Sequence, residues 1–205
     1  MEKPSKRTQK FLAAATTPIA IVAAGALVYQ ASYAAFTGQT RNSGNEWSTG
    51  SVNLTDDDSG AARFQVANML PAQTDTKCIK VTADASVPST VKGYAVNPVT
   101  SVQGLENRVK ISISSGDGGS FANCAGFVAD GPALVTNASL AQLALANTYE
   151  AGIGGWKVSG GGAESKTYQI TWKFDTTGMT QQQIDQLQGA KTGIDIQWEM
   201  RTDES

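Results

Sequence analysis

The 205-residue chain contains no histidine, and that single absence removes most hydrolytic chemistry. A zinc peptidase of the His-Glu-x-x-His kind needs two imidazoles on one helical face, and neither a Ser-His-Asp nor a Cys-His site can be built without one. Carboxylates, thiols and aromatic rings remain. Asp56, Asp57 and Asp58 stand directly ahead of Ser59 and Gly60. Such a run reads either as a solvated hairpin turn or as a weak calcium site, since calcium takes clustered carboxylate and carbonyl oxygens; no other cofactor is implied. Cys78 and Cys124 are the two cysteines. In an exported chain an even count favours one disulfide over two free buried thiols, and a loop of this length is worth about 4 kcal/mol on the chain-entropy model. Four tryptophans invite a saccharide-stacking reading. Trp172 and Trp198, however, alternate with Ile170, Phe174, Ile194 and Ile196, which places them in a core; Trp47 and Trp156 lie beside turns and stay open to either role.

The elements that must position these groups begin after a leader. Met1 to Lys10 is basic, and 11–29 is an apolar run that could span a bilayer if retained. Ser32 and Ala34 are small residues two apart just beyond it, the pattern a signal peptidase reads, leaving Ala35 as the new N-terminus and 1–34 as a signal peptide. The basic flank keeps that end cytoplasmic, so the remainder is exported and meets the membrane only through an uncleaved leader. Without the leader, the 16 basic residues fall to 12 and the 18 acidic to 17, an acidic balance that argues against nucleic acid. About 170 residues then remain, enough for one domain that buries roughly 70% of its unfolded surface.

Residues 35–47 read as a mature N-terminal strand and linker. Ala35, Phe36 and Thr37 suit a strand, whereas the stretch from Gly38 to Asn45 is polar and glycine-bearing, so this strand sits on a loose tether. Phe36 either tucks into its own sheet or enters a neighbour. From residue 48 onward, short β-prone runs alternate with turn clusters, the pattern of an all-β, two-sheet antiparallel sandwich. Strands are expected at 49–55, 61–69, 76–83, 87–96, 108–114, 165–174 and 192–201, with the Asp-rich hairpin turn closing the first and Cys78 on the third. Val109, Ile111 and Ile113 share a face, as do Tyr168, Ile170, Trp172 and Phe174, and again Ile194, Ile196, Trp198 and Met200. Two short helices break the pattern. Ser139 caps one within 137–148; Thr180 and Gln183 have capping-box spacing for another that Gly189 can end.

AAFTGQTRNSGNEWSTGSVNLT resembles the opening of the TasA and camelysin (CalY) family of secreted Gram-positive biofilm-matrix proteins. LTDDDSGAARFQVANMLPAQTDTKCIKV, ESKTYQITWKF and QGAKTGIDIQWEM resemble its later strands, so the likeness covers most of 33–200. It departs in an inserted Ala190 and a longer 179–188 helix. The resemblance implies a jelly-roll-like sandwich and a secreted subunit, located in the extracellular matrix or at the cell surface. It also implies fibres built from copies of the chain itself, with related matrix subunits as further partners. Residues Ala35, Phe36, Thr37, Gly38 and Gln39 of one subunit would serve as the donor strand completing the next. Camelysin-type proteins have also been classed as metalloendopeptidases, a reading the missing histidine opposes. A monomeric carbohydrate-binding or adhesin domain is the third class.

Overall fold

The computed structural model describes residues 41–42, 45–46, 51–59, 64, 66 and 68–203. The leader, the cleavage residues Ser32, Ala34 and Ala35, the donor strand Ala35, Phe36, Thr37, Gly38 and Gln39, and Trp47 therefore lie outside the described residues. In the N-terminal unit, 1–49, β1 (Arg41–Asn42) pairs antiparallel with β2 (Asn45–Glu46).

The second unit, 50–205, is an antiparallel two-sheet sandwich. In chain order it contains β3 (Val52–Asp56), β4 (Thr74–Ala85), β5 (Ser89–Val99), a 3-10 turn at Leu105–Asn107, β6 (Val109–Asp117) and β7 (Val128–Ala129). There follow β8 (Val135–Ser139), α1 (Leu140–Leu143), β9 (Ile153–Val158), β10 (Gly162–Phe174), α2 (Gln181–Asp185) and β11 (Gly193–Thr202). One sheet runs β3-β4-β10-β6-β7, with β8 also on β6; the other has three strands in the order β11-β5-β9. β10 is the spine of the larger sheet: it pairs with β4 from Gly162↔Ala85 to Lys173↔Thr74 and with β6 from Thr167↔Gly116 to Phe174↔Val109.

Alternation decides which face is dry. Ile79, Val81, Ala83 and Ala85 of β4, Val109, Ile111 and Ile113 of β6, and Tyr168, Trp172 and Phe174 of β10 are all buried and form one cluster. Val91 and Val158 close it from the smaller sheet, with Ile194, Ile196, Trp198 and Met200 of β11 half-buried against it. Trp198 stacks on Tyr168 with ring centroids 4.1 Å apart. It fits because position 93 is glycine: a Cβ there would stand 2.7 Å from the indole. Both short helices carry the capping boxes read from sequence, Ser139 with Gln142 and Thr180 with Gln183.

Two expectations are corrected. The run 61–69 is no strand at its described members Phe64, Val66, Asn68 and Met69. Phe64 and Met69 still pack on the core, but Asn68 and Ala72 have φ of 54° and 62°, and this left-handed backbone bends the chain away from a ladder. Cys78 is therefore on the second strand of the sandwich. The Asp-rich segment is likewise a turn but closes no tight hairpin onto the described members of 61–69; β3 pairs antiparallel with the next strand, β4, across a long connection, Asp56 opposite Val81 and Val52 opposite Ala85.

Candidate functional site

Cys78 and Cys124 form a disulfide, with Cα atoms 5.3 Å apart. Cys78 is fully buried on the outer face of the larger sheet, opposite the core-facing residues, because the glycine-rich connection after β6 lies over it. A second tie holds that connection. Asp57 accepts from Lys80 N (2.8 Å) through one carboxylate oxygen and from Phe121 N (2.7 Å) through the other. Asp56 accepts from Asp58 N at 3.3 Å, and burial, followed by the hydrogen bond with Asp58, raises its carboxyl above the ordinary value. Asp56 and Asp58 thus bond each other while Asp57 turns to Lys80 and Phe121, and among the described residues no three acidic or thiol groups converge as a metal cluster.

The outer face of the three-stranded sheet carries a polar network that no short spacing announced. Arg201 bonds Glu199 at 2.6 Å and Glu150 at 2.7 Å while its guanidinium lies 4.1 Å from the Tyr149 ring centroid. Tyr94 donates to Glu199 at 2.7 Å and accepts from Gln197. Burial pushes the Glu199 carboxyl up, but the hydrogen bonds from Arg201 and Tyr94 outweigh it and leave the group below its ordinary value. Tyr149 turns its hydroxyl to Thr90 O and a ring face to Arg201, so it offers no bare platform for a sugar. Trp156 packs half-buried on the core and Trp172 is buried within it.

Beyond the core, on the inward-facing side of the larger sheet where Lys166 lies opposite Val81 and Ser115 opposite Tyr168, Lys166 reaches Asp130 at 2.8 Å and Ser115 donates to the same carboxylate, holding Asp130 below the usual carboxylate range. A depressed folded value contributes stability that is full above the unfolded pKa and lost as pH falls through the folded one. Asp130→Asn is therefore expected to lower stability by about 0.2–1 kcal/mol near neutral pH, the range for exposed pairs. Paired melts should show that gap closing in acid. A gap that ignores pH would mean the ion pair contributes nothing.

The feature with the capacity to bind lies between the sheets. A groove of about 1380 Å³ runs from the sandwich middle toward the end where β10 finishes and β11 begins, walled by Ile79, Ile111, Ile170, Trp172, Phe174 and Ile196. It exists because a three-stranded layer cannot cover a wider one. β3 stops opposite Val81, so among the described residues no strand pairs with Thr74 to Ile79 on that side of β4. Across the groove, among the described residues, β11 is the sheet edge over its whole ten-residue length, with β3 of the other sheet coming close to it. Its register shows which groups face out. Ala95 N donates to Ala146 O, away from β11, and Asp203 N donates to Pro88 O. The odd positions of β11 therefore bond to β5, and Ile196, Trp198 and Met200 turn their N–H and C=O groups to the open edge. Inside the groove, Trp172 Nε1 is buried with no hydrogen-bond partner among the described residues.

No protein-family model and no curated protein matches this chain. Its function must be argued from this geometry and from its sequence.

Sequence reasoning found the cysteine pair and the buried tryptophans. It missed the groove, the Asp57 clamp and the Arg201 network; only the outward-facing Glu199 and Arg201 in β11 hinted at the last.

Proposed function

We propose that this chain is a secreted structural subunit that assembles into extracellular fibres by strand addition, with copies of itself as partner and no cofactor. The observation that supports this most is the groove beside the open β11 edge. An unpaired edge templates another strand, and here apolar side chains and an unpartnered indole N–H adjoin it. Buried indole N–H groups normally find an acceptor, and an inserted backbone supplies carbonyls. The donor we assign is 35–39 of a neighbouring copy, freed by cleavage after Ala34.

Polarity supports the same reading. The sandwich starts at Ser51, tied to Ser86 at one end of the body, whereas the groove opens toward the other end, by Phe174 and Gly193. A linker leaving one end and a receptor at the opposite end make a head-to-tail contact, and such contacts give open filaments when the rotation does not close a ring. The TasA and camelysin resemblance points the same way. An endopeptidase lacks its imidazoles, and for a carbohydrate-binding domain the Tyr149 ring is already taken up by Arg201.

Electron microscopy of the purified protein starting at Ala35 tests the proposal. Unbranched fibres are expected; a protein that stays monomeric at high concentration and binds glycans instead would overturn it.

A further inference from the structure

Among the described residues, the crossover from β10 to β11, residues 175–192, is hydrogen-bonded to the rest of the sandwich only at its two ends. Asp175 N donates to Arg108 O at one end, and Thr192 Oγ1 donates to Val99 O at the other. Among the described residues, no hydrogen bond or ion pair joins 176–191 to either sheet. Its polar groups satisfy one another. Thr180 and Gln183 form the capping box, Gln181 donates to Asp185 at 2.8 Å, and the backbone bonds run Met179 to Thr176, Leu187 to Ile184 and Ala190 to Leu187. Leu187 and Ala190 pack partly on the core, Ile184 is half-buried, and α2 has no fully buried residue. The segment nonetheless lines the groove from Gln181 to Thr192.

Within this segment, on either side of α2, stand two glycines in the left-handed region, Gly178 at φ 74° and Gly189 at φ 73°, and nothing lies within 4 Å of a Cβ built at either. These are hinge properties: a backbone free of the usual φ limits with no neighbour to strike. A unit that is internally satisfied, hinged twice and gripped by few apolar contacts opens without unfolding the sheets.

We propose that residues 176–191 are a gate over the groove, held shut by Ile184 and Leu187 and swung aside to admit the incoming strand, so that gate opening regulates assembly. The inference rests on the fibre reading for its purpose but not for its motion. Closed, the gate covers apolar surface that would otherwise attract unrelated chains. Open, it clears the mouth at the start of β11, where the Asn97 and Pro98 bulge already loosens pairing with Gly193 and Asp195.

The test uses Ile184→Ala and Leu187→Ala in the full mature chain, with the probe 8-anilinonaphthalene sulfonate, amide exchange across 180–190 and the lag of fibre growth as readouts. Each variant should take up dye and exchange these amides about tenfold faster than wild type while β10 amides stay slow, the signature of local opening. Fibre lag should shorten with it. Unchanged dye uptake and exchange would overturn the gate, as would faster uptake with a wild-type lag. Faster dye uptake in a protein that never forms fibres leaves the gate standing and removes the fibre reading.

Discussion

Removing Ala35 to Gln39, or changing Phe36 to Asp, is expected to leave a folded, soluble monomer that forms no fibres. The groove and the open β11 edge belong to the sandwich, 51–203, so the deletion spares the receptor and takes away only the donor. Full burial of a phenylalanine contributes roughly 1.5–3 kcal/mol, and in a fibre the term recurs at every junction. Reach depends on the pairing at 41–46: twelve residues from Gln39 to Ser51 span about 40 Å when extended, and the pairing of β1 with β2 shortens that span until the two strands part. On the proposed reading of 1–34 as a membrane-held leader, its cleavage would act as the switch. Unchanged melting together with loss of fibres by microscopy supports the assignment; fibres of normal length from the deletion variant would sink it.

The second large effect concerns Cys78 and Cys124. Replacing both with Ser is expected to lower stability by about 4 kcal/mol, since the bond closes a 46-residue separation. For a chain of this size that corresponds to roughly 10 °C in melting temperature. The Asp57 clamp on Phe121 N survives the change, so the connection after β6 should stay docked while the sandwich melts earlier. The native protein should show no thiol to labelling reagents. A double variant that melts with wild type would mean the unfolded chain gains little freedom on losing the link.

Strong alternation made much of this fold readable. Val109, Ile111 and Ile113, and the aromatic faces of β10 and β11, pointed to the core because a period of two on a half-buried strand leaves little choice. Caps were readable for the same local reason: Ser139 and Gln142, or Thr180 and Gln183, are three residues apart. The failures were long-range or geometric. Phe64 and Val66 alternate as a strand would, but the left-handed Asn68 and Ala72 turn that segment into packing without pairing. Asp57 reaches partners 23 and 64 positions away, distances at which a turn-like Asp run carries no signal. The groove arises from the mismatch between six strands and three, and periodicity reports which face of a strand is dry, not how many strands cover it.

The Ser51 tie at the 85–89 corner also governs how the molecule bears load. Ser51 N donates to Ser86 Oγ at 2.8 Å and Ser51 O accepts from Ser86 N at 3.0 Å. Immediately beyond, β3 lies antiparallel on β4 from Val52 to Asp56. Tension arriving through the N-terminal linker and directed along the strand axis would pull β3 lengthwise past β4, so the five-residue ladder and the serine tie resist together in shear. A strand attached at right angles would instead peel away one bond at a time. Stretching single molecules by the N-terminus against a handle at β11 should therefore give rupture forces typical of sheared strands, well above those of unzipped ones.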